Sequence, residues 1–525
     1  MKETMKTLAF SVAIIIVFSC SGPKQESGND SGLYTEMYRP QYHFSPPEKW
    51  MNDPNGMVYY EGEYHLFYQY YPDSTIWGPM HWGHAISTDL VHWQHLPIAL
   101  YPDSLGYIFS GSAIVDINNT SGFGSPENPP IVAIFTHHNP KLKALGQNNF
   151  QTQSIAYSLD KGRSWKKYEG NPVLPNPDLN DFRDPKVSWH SESGKWIMTL
   201  AAGDHVRFYS SIDLKEWAFE SEFGKNTGAH GGVWECPDLF ELPVENMEGQ
   251  KKWVLLVSIN PGAPNGGSGT QYFVGTFDGH TFTNDNIKTN WLDYGTDNYA
   301  GVTWSNVENR MIFLGWMSNW TYANKVPTYP WRSAMTVPRE LTLVNHEGEQ
   351  LIRSNPVAEL NQIIVPLISK KQSNLDKEGI TLNFSKNELS VSVIEMNVLL
   401  ENGEELVIEI SNKLNQKVLI GYNSGLPQLY IDRTQAGRDD FHKSFADKIH
   451  VAEIKKVEGK INLKLMLDKS SIELFFAEGL YVMTDLVFPE QEYNTLKIYL
   501  KSGEATLENL SISSVKPIWA KKFNK

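Results

Sequence analysis

The chain of 525 residues has only two cysteines, Cys20 and Cys236. With one of them at the end of an N-terminal leader, no disulfide framework is expected in the mature fold. Long hydrophobic runs are scarce too. The apolar stretch Leu8 to Phe18, preceded by Lys2 and Lys6, is too short to span a bilayer and has the form of a secretory signal. No other segment is long and apolar enough to be transmembrane. Positive charge is in deficit: 46 Lys and Arg face 60 Asp and Glu, for a net charge of -14. Such a chain repels phosphate, so no nucleic-acid partner is expected. Phosphate-cradling loops are missing as well. Gly262 to Gly269 (GAPNGGSG) is glycine-rich, but no helix follows to present an anion-binding N-terminus, so it reads as a mobile loop. The pairs His81/His84 and His92/His95 sit in Trp- and Gly-rich strand and turn sequence, without a neighbouring Cys or Glu of a zinc motif. No metal and no cofactor is expected.

The leader ends in Ser19-Cys20, a small residue before cysteine. This resembles a bacterial lipoprotein cleavage box, with Cys20 as the lipidated N-terminus of the mature protein. The segment 21–36 reads as a flexible tether, since Ser21 to Gly32 is rich in Ser, Gly and charge. The expected location is therefore the bacterial envelope, with the membrane as partner through the lipid. The sequence does not say which face carries the protein, and no protein partner is inferable.

What is plentiful is tryptophan, with 16 copies, of which 15 lie between Trp50 and Trp331. That asymmetry marks two domains of different character. The first carries a repeat. Five apolar strands recur: Tyr64 to Tyr71, Ile131 to His137, Lys195 to Ala202, Lys252 to Ile259 and Arg310 to Met317. Ahead of them stand five polar motifs: WMNDPNG (Trp50 to Gly56), FSGS (Phe109 to Ser112), DFRDP (Asp181 to Pro185), WECPD (Trp234 to Asp238) and DNYAG (Asp297 to Gly301). A second element recurs as STDLVHW, SLDKGRSW, SIDLKEW and TFDGHTF. Its Asp suits a tight turn and its aromatic staples the returning strand. A repeat of this length with fixed internal order predicts an all-β five-bladed propeller over 37–352. A short helical linker at Ala358 to Ile364 is expected within 353–366. The alternating strands of 367–518 predict a β-sandwich, and 519–525 is a tail.

In a propeller the same place in each blade faces one axial channel. Asp53, Asp184 and Glu235 would then meet at one site, and converging carboxylates are the equipment for acid/base and nucleophilic work on a glycosidic bond. Pro54 fixes the backbone behind Asp53. A bond between the neighbours Arg183 and Asp184 is awkward, which leaves both to face a ligand. Apolar surroundings and nearby carboxylates would raise the pKa of Glu235, as a general acid requires. Cys236 has no histidine-based partner pattern, so it reads as a buried neighbour of the acid.

These motifs, in this order, resemble glycoside hydrolase family 32, the β-fructosidases: invertases, inulinases and levanases. The resemblance runs from about Tyr38 to about Ile518. The stretch Gly315 to Leu341 looks like exo-acting levanases and inulinases. The resemblance implies a retaining hydrolase that releases fructose from the ends of β-fructans and from sucrose. Asp53 would be the nucleophile, Glu235 the general acid/base and Asp184 the transition-state stabiliser. Asn52, Gln69, Trp77, Phe109, Ser110 and Arg183 would line the fructose pocket, with Trp316 completing an aromatic wall. Other readings stay open: an endo-acting levanase with an open cleft, a transfructosylase, and a non-catalytic fructan-binding lipoprotein.

Overall fold

Short runs of Val, Ile, Tyr, Trp and Phe, punctuated by Gly, Pro, Asn and Asp, form strands nearly throughout. The computed structural model describes residues 34–285, 288–385, 388–400, 404–457 and 459–519. The leader, Cys20 and the segment Ser21 to Gly32 lie outside the described residues. No helix among the described residues is long and apolar enough to cross a membrane.

The first domain is a five-bladed β-propeller. Blade 1 is built on Lys49–Tyr60, Glu63–Tyr71, His81–Ser87 and Gln94–Leu100, and blade 2 on Tyr107–Val115, Ile131–His138, Gln151–Ser158 and Lys166–Lys167. Blade 3 is Phe182–His190, Lys195–Ala202, Val206–Ser211 and Ala218–Phe223. Blade 4 runs Val233–Glu245, Lys251–Asn260, Gly269–Phe277 and Phe282–Asn284, and blade 5 runs Tyr299–Thr303, Ile312–Met317, Arg339–His346 and Glu349–Pro356. The first strand of each blade touches the first strands of both neighbouring blades, and blade 5 returns to blade 1. A parallel pair, Lys49↔Trp331 and Trp50↔Arg332, helps close the ring. The recurring Asp at the outer turns accepts backbone N–H bonds, as at Asp89 from His92 (2.8 Å), Asp213 from Lys215 (2.9 Å) and Asp278 from Thr281 (2.7 Å).

The last propeller strand extends to Pro356, a 3₁₀ helix follows at Ala358–Ile363, and the second domain begins at once with Ile364–Leu375. It is a sandwich of two six-stranded antiparallel sheets over an aliphatic core that includes Ile394, Ile408, Ile420, Leu465 and Ile498. The two domains share a further apolar cluster, in which Phe44, Trp50 and Trp316 pack with Val393, Met466 and Phe475.

Two segments differ from their expected flexibility. Gly262 to Gly269 is pinned between the domains: the Asn265 amide donates to Tyr294 O (2.7 Å) and Val451 O (3.0 Å) and accepts from Val451 N (3.0 Å). Glycine richness there serves close backbone packing rather than mobility. Order also starts earlier than 37, because Tyr34 stacks on Trp519 with ring centroids 4.2 Å apart and Glu36 pairs with Arg39 at 2.6 Å.

Candidate active site

The five polar motifs are five β-bulges. In each inner strand three residue steps face two on the partner: Met51 to Pro54 against Tyr70 to Tyr68, Ile108 to Gly111 against His137 to Phe135, and Arg183 to Lys186 against Ala201 to Thr199. Glu235 to Asp238 faces Ser258 to Leu256, and Tyr299 to Val302 faces Trp316 to Leu314. A bulge bends the strand and re-aims side chains. Here it breaks the alternation of a plain strand at one mouth of the channel. Asp184 and Cys236 both occupy the left-handed region, at φ 64° and 47°, and such strain persists only where the surroundings over-determine it.

The bulges bring the three carboxyls together, though not from identical positions. Glu235 precedes its bulge, Asp184 is the first bulged residue and Asp53 the second. Each is held. Asp53 accepts from Asn52 Nδ2 and Ser110 Oγ, both at 2.8 Å, and Asn52 is itself fixed by the Trp50 indole at 2.7 Å. Asp184 accepts from the Cys236 backbone N–H at 3.0 Å, and its own N–H donates to Thr136 Oγ1 at 3.0 Å. Glu235 accepts from Arg183 Nη2 at 3.0 Å on one oxygen and from the Tyr299 hydroxyl on the other. The Cys236 thiol lies 3.7 Å from both Asp53 Oδ2 and Asp184 Oδ2.

Burial does most to set the proton affinity of these groups. It raises Asp53 above the usual carboxylate range, and the nearby Glu235 adds to the rise, while the bonds from Asn52 and Ser110 oppose it. Asp184 is also raised, first by burial and then by Glu235 and Asp53, against the pull of Arg183. Burial and the same carboxylates push the Cys236 thiol well up, so it stays neutral as a weak donor and not a nucleophile.

Above the carboxyls lies a cavity of about 200 Å³. Asn52, Gln69, Trp77, Phe109, Ser110 and Arg183 all line it. Gln69 Nε2 and Gln151 Oε1 are buried in its wall with no partner, a donor and an acceptor left for a ligand. Two further expectations meet corrections. Trp316 does not reach the cavity: it is fully buried behind it, packed against Trp50, Tyr299 and Trp320, because it sits on the second strand of blade 5. Trp320, in the loop after that strand, supplies the aromatic instead. Arg183 is not left wholly to a ligand either: it lines the cavity, but its guanidinium also contacts Glu235 and Asp181, and its Nε lies 3.9 Å from Asp184. Among the described residues, no group of three or more His, Cys, Asp or Glu is placed to hold a metal ion.

Residues 43–355 match the model of the glycosyl hydrolases family 32 N-terminal domain, and residues 362–514 match that of the family 32 C terminal domain. The chain belongs to glycosyl hydrolase family 32. It is 48% identical over 522 residues to a levanase of Bacillus subtilis, covering 98% of this chain and 74% of that one. It is 38% identical to an extracellular exo-inulinase of Aspergillus ficuum, over 93% of this chain and 96% of the relative. Among solved structures, exo-inulinase from Aspergillus awamori superposes with a TM-score of 0.85 at 36% identity, over 93% of this chain and all (100%) of that one. A β-fructofuranosidase from Schwanniomyces occidentalis, complexed with fructosyl-erythritol, superposes with a TM-score of 0.84 at 36% identity, over 93% of this chain and 99% of that one.

In this family 32 chain the sequence motifs underdetermine the site at one residue above all. Tyr299 stands just before the bulge of blade 5, as Glu235 does in blade 4. Aligning the repeats on their bulges would have pointed it at the same mouth. His138, Lys143, Gln151 and Asp181 also line the cavity. His138, Lys143 and Gln151 come from blade 2 sequence that no motif flags, whereas Asp181 opens the DFRDP motif, where it was given no role.

Proposed function

We propose that Asp53 is the nucleophile, Glu235 the general acid/base and Asp184 the residue that grips fructose hydroxyls in a retaining hydrolysis. The chain is a glycosidase that releases fructose from β-fructans and sucrose. The observation that carries the role assignment is the meeting of three held carboxyls from three blades under one small cavity. Asp53, fixed by Asn52 and Ser110, is oriented to attack the anomeric carbon and form a fructosyl ester. Glu235 protonates the leaving oxygen and then takes a proton from water as the ester is cleaved. Tyr299 and Arg183 hold its two oxygens in place. Asp184 bonds fructose hydroxyls that tighten as positive charge develops at the ring.

The mode of attack is exo. The cavity, at about 200 Å³, is smaller than the roughly 300–1,000 Å³ of most ligand clefts. Trp77, Phe109 and Trp320 stand around it, so a unit linked on both sides would have to pass through aromatic walls. Digestion of levan and of inulin tests this together with the roles. Early release of fructose with little fall in polymer size is expected, and Asp53→Ala and Glu235→Ala should each lower kcat by roughly 10²–10⁴ in a folded protein. Oligosaccharides appearing before fructose would establish endo attack, and near-normal turnover by folded Asp53→Ala would remove its role. The mature protein is exported and anchored by lipid at Cys20, a reading supported by the Ser19-Cys20 sequence after a short apolar run. A Cys20→Ser variant still found with membranes would overturn the anchor.

A further inference from the structure

The propeller axis has a second mouth. At the end of the channel opposite the carboxyls, the inner strands of blades 2 to 5 open into a cavity of about 330 Å³, larger than the catalytic one. Its floor is a buried ion pair. Lys186 Nζ lies 3.1 Å from Asp238 Oδ2 and donates to Thr303 O at 2.5 Å. Asp238 Oδ2 also accepts from Thr303 N (2.7 Å) and Thr303 Oγ1 (2.8 Å). The other oxygen, Asp238 Oδ1, has no partner although Asp238 is wholly buried. A buried carboxylate oxygen without a donor is costly, and the cavity it lines is where a donor can come from.

The chemistry of an occupant follows. The Lys186–Asp238 pair cancels its own charge, so an ionic ligand would bring an unpaired charge into a buried floor. A neutral hydroxyl can donate to Asp238 Oδ1 at no such cost. The walls are mixed: Ile114 and Phe240 are buried beside the cavity, Trp189, 39% exposed, offers indole surface, and Asn118, Asn306 and Arg310 add polar groups, the Arg310 charge being already paired with Glu340 and Glu359. Trp189 also lines an adjoining cavity shared with Trp253, which extends the aromatic surface across blades 3 and 4. A molecule with hydroxyl donors on one side and a C–H face on the other is a sugar.

We propose that this far mouth is a second, non-catalytic sugar site that takes a β-fructosyl unit, either free fructose or the end of a fructan chain. The choice of fructose over other sugars rests on the fructan reading of the catalytic mouth. The site would hold polymer, or sense product, at the face of the propeller opposite the one that cuts.

The test is native gel electrophoresis in gels containing levan, run on Asp53→Asn protein so that the polymer survives. Trp189→Ala in that background should weaken levan retardation by about 5-fold or more, and Asn118→Trp, which fills the rim without touching the floor, should do the same. Excess free fructose should abolish the Trp189-dependent part if the site takes a single unit. Persistence of that part in fructose would assign the site to chain ends and still support it. With Asp53 intact, Trp189→Ala should hydrolyse sucrose with kcat/KM within about 2-fold of the parent, a change too small to implicate the catalytic mouth. If Trp189→Ala melts early, Asn118→Trp decides alone. Retardation equal to the parent in the folded variants overturns the proposal. Failure of the parent to hydrolyse fructan or sucrose would instead overturn the reading on which the choice of sugar rests.

Discussion

Asp53 is kept in an unfavourable state by its neighbours. Burial and Glu235 raise its pKa above the ordinary aspartate value of 3.8, so at neutral pH the fold carries the cost of ionising it. A raised folded pKa means the native state binds the extra proton. Stability from this group is therefore greatest below the unfolded pKa and falls as pH rises through the folded one. Asp53→Asn keeps the shape and an acceptor for Asn52 while removing the charge. It should melt higher than the parent at pH 7 and show no such gain near pH 4, although it loses turnover. Scanning calorimetry at the two pH values checks this, and an equal or lower melting point at pH 7 would contradict it. The identities of the three carboxyls were legible because each lies in a short motif with Pro one or two residues on. Trp316 was misplaced for a physical reason: a Trp next to a glycine in strand sequence gives no sign of which way it faces. Only the packing of Trp50 and Trp320 on either side decides that Trp316 is buried behind the pocket.

At the scale of elements the bulge is the unit that repeats. Apolar strand sequences and turn aspartates were readable from period-2 patterning and turn chemistry, and so the propeller was too. The bulges were not, because an extra residue in one strand shows only against its partner. They explain why carboxyls at three successive positions reach one mouth. Gly111, in the FSGS motif, shows how tightly a bulge is packed. A Cβ on it would come within 2.0 Å of the Ile134 carbonyl oxygen, a backbone atom that cannot swing aside. Gly111→Ala should therefore push the first strand of blade 2 off its neighbour and displace Ser110, which bonds Asp53. The cost should be about 1–3 kcal/mol, the usual range for overpacking, together with a fall in kcat. Urea unfolding and sucrose kinetics on the same sample check both. A stable variant with full activity would mean that the bulge relaxes at no cost.

Charges buried between the two domains join the whole molecule, and although Asp297 opens the DNYAG motif and Arg339 lies in the stretch Gly315 to Leu341, neither stretch announced a partner. Arg339 bridges Asp293 of the propeller at 3.0 Å and Glu473 of the sandwich. Arg433 of the sandwich pairs with Asp297 of the propeller at 2.7 Å. His43, ahead of the first blade, sits between Asp468 and Glu473 at 2.8 Å from each. The pairs that cross between the domains join residues from 134 to 430 apart in sequence, so only the docked domains reveal them. Breaking such a pair strands a charge where water cannot reach it. His43 makes this visible in pH. Burial lowers its pKa, but the bonds to Asp468 and Glu473 outweigh burial and lift it from 6.5 to about 9. A histidine with a raised folded pKa contributes stability that is fully present below the unfolded value and is lost as pH rises through the folded one. The melting temperature should thus fall between about pH 6.5 and pH 9, with a contribution on the order of 3 kcal/mol from this residue at the acid end. His43→Gln keeps a donor for one carboxylate but no charge. It should melt lower than the parent at pH 6, and the gap should narrow toward pH 9.5, where the parent's imidazole is neutral as well. A gap that stays constant across that range would show that His43 acts by shape alone, and that the domains are not held together by its charge.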